Sequence, residues 1–219
     1  QNPMGWTMSL ERRKQMLDIT RKYGVAVLED DCYVDLRFEG EDVTSIHSLD
    51  DTGSVIYVGS FSKIIAPGMR MGYMVAPENV RARAMSFKGG GGVNQFAALT
   101  IQEYLKNNMY QHIDEQNAAL MAKRDAMLAS LGENFGDSAS WVKPEGGLYV
   151  WLEMPEGTDL AGLQEQAFDE GVGYYNGTMF SPQGLGANCA RLCFGHPDTQ
   201  TNYDGVAELA RIFERHGIL

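Results

Sequence analysis

Cysteine is scarce in this 219-residue chain: Cys32, Cys189 and Cys193 are an odd number, without the spacing of a zinc site or the density of a disulfide framework. They read as reduced thiols of a cytosolic protein. Histidine is as sparse. His47, His112, His196 and His216 stand apart with no i, i+4 pair, so neither a zinc site nor a Ser-His-Asp triad is suggested, and surface or core positions account for them. Lys and Arg form no run, and 18 basic against 29 acidic residues leave a net charge of −11, which argues against a nucleic-acid-binding face. No stretch approaches the roughly 18 to 20 apolar residues of a membrane span, and the opening residues lack the charged-then-apolar pattern of a secretory leader. The expectation is a cytoplasmic protein with no membrane or nucleic-acid partner at these residues.

What is present supports a real core, since 44% of residues are hydrophobic and 21% charged. The length admits one large domain or two small ones. From Ser9 to Tyr23 the spacing of Leu10, Met16, Leu17, Thr20 and Tyr23 predicts an amphipathic helix stopped by Gly24. Val25 to Leu28 and Val55 to Val58 are short apolar runs of the kind buried on both faces of a sheet, and Met69 to Val75 is a third strand candidate. Helices alternating with such runs predict an α/β layer with a mainly parallel sheet, whose ligands gather at the carboxyl ends of the strands. Asp30 and Lys63 both lie just past such ends.

Four glycines, Gly89 to Gly92, carry no phosphate-loop signature and read as a hinge. Two helices are expected beyond them, about Gln95 to Leu105 and Met109 to Leu131. Alternation over Trp141 to Met154, a helix near Leu160 to Glu170, a strand near Ala190 to Phe194 and a last helix near Asn202 to His216 complete an α+β unit. The expected division is 1–105, part of a large α/β domain, and 106–219, a small α+β domain.

The chemistry concentrates in Ser60 to Gly72, where hydroxyls, an amine and a guanidinium share one turn. Small Ser and Gly residues let backbone N–H groups approach an anion, Arg70 can bind it bidentately, and Lys63 can form an imine with an aldehyde. On these residues alone, a solvated strand turn with incidental charges is an equal alternative.

The pattern Ser-x-Ser-Lys-x-x-x-Pro-Gly-x-Arg-x-Gly over residues 60–72 resembles the lysine motif of fold-type I pyridoxal-phosphate enzymes, the aspartate aminotransferase superfamily. Four other segments agree in order: Asn2-Pro3-Met4-Gly5, Asp30-Asp31-Cys32-Tyr33, Pro144-Glu145-Gly146-Gly147 with Trp151, and Ala190-Arg191-Leu192-Cys193-Phe194. The resemblance implies that Lys63 holds pyridoxal 5′-phosphate as an internal aldimine and shuttles the proton. It implies that Asp30 keeps the pyridine nitrogen protonated, making the ring an electron sink. Tyr33 and Asn2 would hydrogen-bond the cofactor's phenolic oxygen, with Asn2 also near the substrate carboxylate. Ser60, Ser62 and Arg70 would bind the phosphate, and Arg191 would grip the substrate α-carboxylate as a bidentate fork. The plainer reading of an Asp here, a helix cap or turn residue, fits Asp31 better than Asp30.

The implied activity is transfer of an amino group between an amino acid and a 2-oxo acid by a homodimer. The Glu-Asp-Asp-x-Tyr pattern followed by Leu36-Arg37-Phe38 looks most like the aromatic and 2-aminoadipate branch. Departures are Met4 where Thr is usual, Cys32 where Pro is frequent, and Tyr175-Asn176-Gly177 where Pro-Gly is common. Family members also carry a long N-terminal part ahead of the Asn-Pro turn, with a phosphate loop, a stacking aromatic ring and much of the dimer interface, so this chain is expected to be a carboxyl-terminal portion. The alternatives are the effector domain of a MocR-like transcriptional regulator, a C–S lyase or decarboxylase on the same constellation, and a relic that binds no cofactor.

Overall fold

The computed structural model describes residues 1–219. The chain forms two compact units, Met8–Gln116 and a second made of Gln1–Thr7 with Asn117–Leu219. The division at 116/117 falls inside a helix, and Gly89 to Gly92 lie within the first unit.

In the first unit, α1 (Leu10–Lys22) opens on Ser9, whose hydroxyl accepts from the Arg12 N–H, and ends before Gly24 in the left-handed region. Strand β1 (Val27–Asp30) starts two residues later than the apolar run suggests, because its ladder is set by β2 (Val55–Ser60), with Val27 opposite Val55 and Asp30 opposite Val58. Between them lies the short helix α2 (Ile46–Leu49), whose first N–H groups donate to the Glu29 carboxylate at 2.8 Å each. Leu17, Val27, Ile46 and Val55 form one buried cluster that fixes α1 and α2 against this sheet.

The β1–β2 pair is parallel, as the sequence pattern requires, but β3 (Gly72–Val75) runs antiparallel to β2 with Ser60 opposite Gly72. The return through residues 61–71 is too short for a crossover helix, so reversal is the only route. Leu28 is 67% exposed, and Tyr73, Met74 and Val75, which alternate between the two faces, are exposed as well, so the edge strand β3 lacks the cover that an apolar run anticipates on either side. A helix that the apolar spacing does not announce, α3 (Glu78–Phe87), buries none of its residues. The two helices expected beyond the glycines are a single one, α4 (Gln95–Asn134). Asn107 and Asn108 are only weak helix formers and, with no Gly or Pro beside them, do not break it.

In the second unit the sheet order is β4 (Ser140–Trp141), β5 (Tyr149–Glu153), β7 (Cys189–Cys193), β6 (Tyr175–Asn176), antiparallel throughout. Strand β5 buries Val150, Trp151 and Leu152 in succession. Helix α5 (Leu160–Asp169) contributes Leu160, Leu163 and Ala167, and α6 (Thr199–Arg215) contributes Val206, Leu209, Ile212 and Phe213. The Phe213 ring meets Phe135 and Tyr174 edge to face, at 5.7 and 6.1 Å. Arg124, in the α4 portion of this unit, is completely buried and donates to the Pro144 carbonyl at 2.8 Å. That anchors the Pro144-Glu145-Gly146-Gly147 segment. Gly5, at φ +70, packs on the other side of Pro144, where an added Cβ would sit 3.1 Å from both the proline ring and the Tyr149 carbonyl. No helix is long and apolar enough to cross a membrane.

Candidate active site

Because β1 and β2 are parallel, their carboxyl ends emerge at one edge of the sheet, and there the first unit gathers most of the singled-out side chains. Asp30 closes β1 and Ser60 closes β2. Lys63 follows in the turn, its Nζ 5.8 Å from the centre of the Tyr33 ring. Cys32 sits between the two charges: burial, then the Asp30 charge and hydrogen bond, raise its thiol, and the Lys63 charge opposes them only partly. The thiol therefore stays protonated at neutral pH.

Asp31 faces away from that work. Its N–H extends the ladder to the Val58 carbonyl at 2.9 Å, and its carboxylate pairs with the Tyr57 hydroxyl. Burial raises the Asp31 carboxyl, and burial with the Asp31 charge raises Tyr57.

The lysine turn is built from small polar residues. The Ser60 hydroxyl accepts from the Ser62 N–H at 3.1 Å, and the Phe61 N–H continues the β2–β3 ladder to the Met71 carbonyl. A 3₁₀ turn, Pro67–Met69, then delivers Arg70 in the left-handed region at φ 50, where no other non-glycine residue of the chain has positive φ. Such a conformation costs on the order of 1 kcal/mol and concentrates at functional sites. The exposed guanidinium makes only a 3.3 Å contact to its own turn, at the Pro67 carbonyl.

The second unit brings Asn2 and Arg191 together. Arg191 Nη1 donates to Asn2 Oδ1 at 2.9 Å, although the residues are 189 apart in sequence. Its guanidinium carbon lies 4.1 Å from the ring centre of Tyr149, 4.8 Å from Tyr175 and 5.0 Å from Phe180. Register explains two neighbours, since both Trp151 and Tyr175 stand opposite Arg191 across β7, and Trp151 meets Phe180 edge to face. Arg191 Nε is buried with no hydrogen-bond partner, which suits a fork awaiting an anion.

The aromatic collar was not among the sequence-predicted residues. Nor were His112 and Gln116 of α4, whose side chains reach the Ile64 and Lys63 carbonyls at 2.5 and 2.8 Å. The i, i+4 spacing of His112 and Gln116 was the one available signal. No group of side chains suits a metal ion.

These groups suit an aldehyde-bearing, phosphorylated, cationic ring: an amine, a carboxylate at the same strand edge, and a guanidinium with hydroxyls on an adjoining turn. The comparisons agree. Residues 1–204 match the family described as aminotransferase class I and II, and the chain belongs to that family. It is 36% identical to the aromatic-amino-acid aminotransferase 1 of Thermococcus litoralis over 96% of its own length and 51% of that protein's. The solved structure of Pyrococcus horikoshii kynurenine aminotransferase, in complex with PMP and with KYN as substrates and KYA as products, superposes with a TM-score of 0.92 at 36% identity. That match covers 99% of this chain and 54% of the other. The uncharacterized HTH-type transcriptional regulator YisV of Bacillus subtilis is 31% identical over 96% of this chain and 44% of its own. The chain thus spans about half the length of the curated relatives it matches. The fold is that of the aminotransferase α/β class.

Proposed function

We propose that the protein carrying these residues is a pyridoxal-phosphate-dependent aminotransferase that exchanges an amino group between an amino acid and a 2-oxo acid. The observation that carries the reading is the placement of Asp30 and Lys63 at the same carboxyl edge of the parallel β1–β2 pair.

Pyridoxal phosphate, when bound, supplies the aldehyde for amine exchange and a ring cation that accepts the electron pair released at the α-carbon. Lys63 Nζ would hold the aldehyde carbon and would be the base placed to move the substrate α-proton. The Asp30 carboxylate would hold the proton on the ring nitrogen. Tyr33 and Asn2 would hydrogen-bond the phenolic oxygen. Ser60, Ser62 and Arg70 hold the phosphate, and the left-handed backbone at Arg70 is the strain that aims the guanidinium. Arg191, steadied by Asn2 and the three rings, binds the α-carboxylate through two parallel hydrogen bonds. The substrates would be those of the aromatic and 2-aminoadipate branch, a reading whose aromatic part the Thermococcus relative supports, and the working form, by the family resemblance alone, a homodimer. Three unpaired thiols fit the reducing cytoplasm.

Borohydride reduction of the full-length protein with added pyridoxal phosphate, followed by peptide mass mapping, tests this directly. A pyridoxyl group on Lys63, and loss of at least about 1,000-fold in turnover in Lys63→Ala, are expected. Retained turnover in Lys63→Ala sinks the proposal. The likeness to YisV favours one second reading, a regulator that binds the same cofactor as an effector. There the label appears on Lys63 but no oxo acid is released from any amino acid.

A further inference from the structure

The lysine turn is held from behind by one face of α4. His112 and Gln116 lie one helical turn apart, so their side chains project from the same face. Gln116 Nε2 donates to the carbonyl of Lys63 itself at 2.8 Å, and His112 Nε2 lies 2.5 Å from the carbonyl of Ile64. A carbonyl oxygen accepts only, so Nε2 carries the hydrogen, and in the neutral ring Nδ1 is the acceptor. The hydroxyl of Tyr104 lies 3.1 Å from that Nδ1, and the two rings meet edge to face with centres 5.4 Å apart. A relay thus runs from Tyr104 through His112 to Ile64, with Gln116 beside it, and ends on two consecutive carbonyls. Ile64 is buried while the lysine amine points to the Tyr33 ring, so the peptide joining them sets the direction of the Lys63 side chain.

We propose that His112 and Gln116 are positioning residues for Lys63, acting through these two carbonyls and tuned by Tyr104. The proposal rests on the aminotransferase reading of Lys63. Both side chains end on backbone carbonyls rather than on the amine. By fixing the Lys63 and Ile64 peptide planes they remove the backbone freedom that would otherwise let the amine leave the Tyr33 ring, which shortens the search for a reactive geometry.

The test uses the full-length protein and two amine-labelling reactions at Lys63, both mapped by peptide mass across pH. One is capture of pyridoxal phosphate with borohydride, the other reductive methylation with formaldehyde, which needs no cofactor site. His112→Leu and Gln116→Leu are expected to slow pyridoxyl capture about tenfold, the loss of roughly one hydrogen bond each, and to speed methylation several-fold as the amine is released. His112→Gln, which keeps an N–H at the position of Nε2, should stay within about twofold of the natural protein in both. Tyr104→Phe, at an exposed site where folding is safe, should show a change of about twofold to threefold in the same directions. In turnover, kcat falls and the amino-acid KM does not.

Natural rates and pH profiles in His112→Leu, Gln116→Leu and Tyr104→Phe overturn the proposal, as does a His112→Gln as impaired as His112→Leu. If the unsubstituted protein takes no pyridoxyl label, the aminotransferase reading fails instead, and the methylation arm still decides whether α4 holds the lysine.

Discussion

In the unit containing Asn117–Leu219, strand β5 buries Val150, Trp151 and Leu152 in succession, whereas in Met8–Gln116 strand β3 exposes Tyr73, Met74 and Val75 in succession. Helices differ in the same way. Helix α6 turns Val206, Leu209, Ile212 and Phe213 inward, while α3 buries nothing and leaves Met85 and Phe87 exposed. Both units have comparably apolar strands, so the contrast lies in what covers them. An apolar strand states what it is able to bury, and packing partners decide whether it does. Lys63 belongs to the less covered unit, where polar devices help hold its turn: the Ser60 hydroxyl and the α4 donors.

The sharpest way to break this comparison is to truncate one apolar residue in each unit. Phe213→Ala removes a completely buried ring and is expected to cost about 3 to 5 kcal/mol, while Leu28→Ala should stay within about 0.5 kcal/mol. Denaturant unfolding followed by far-UV circular dichroism measures both. Tryptophan fluorescence isolates the first, because Trp6, Trp141 and Trp151 all lie in the second unit. Equal losses would mean that the exposed sheet face is packed in solution.

A second experiment asks whether polar devices carry the first unit. The Asp50 carboxylate is buried, which alone would raise it, yet hydrogen bonds from Thr52, Arg21 and the Val55 N–H outweigh burial and hold it well below the usual carboxylate range. Its contribution is complete above the ordinary carboxylate value of about 4 and is lost as pH falls through the depressed one. Asp50→Asn should cost about 2 kcal/mol at neutral pH and flatten this acid limb. Hydrogen exchange at the β2 amides reads the effect, and an unchanged acid limb would refute the assignment.

Smaller in size but opposite in sign, Arg70→Gly relieves the left-handed backbone and should gain up to about 1 kcal/mol in stability while weakening pyridoxal-phosphate binding. A variant that loses both is evidence against strain at this turn. The least effect is expected at the collar: Tyr175→Leu removes one ring over Arg191 and should raise the amino-acid KM about threefold with kcat unchanged, consistent with the modest size of such contacts.

Much of this was legible in the sequence because it is local. The Ser9 cap, the Gly24 stop and the Ser60 to Gly72 turn are each written in a few consecutive residues. The aromatic collar was not, because Tyr149, Tyr175 and Phe180 come from separate segments and meet only when β5, β7 and β6 take their register. Glu29 and Asp30 read as the end of a strand, yet they complete it, since the ladder to β2 is made by backbone groups that ignore side-chain polarity. The direction of β3 and the continuity of α4 were missed for a related reason. Both depend on loop length and on the absence of a strong breaker, and apolar spacing reports neither.

The hydrogen bond between Asn2 and Arg191 also has a consequence in time. Residues 1–7 belong with 117–219, so during synthesis the turn bearing Asn2 must wait until β7 has been made before its partner exists. Closing so long a loop adds little to the entropic cost per residue but delays the contact, since non-local pairs form late. Met8–Gln116, whose contacts are nearer in sequence, has all its residues in place earlier on the ribosome. The Asn2–Arg191 pair is therefore among the last features to assemble, and ribosome-bound chains stopped before Cys189 should contain the lysine turn without it.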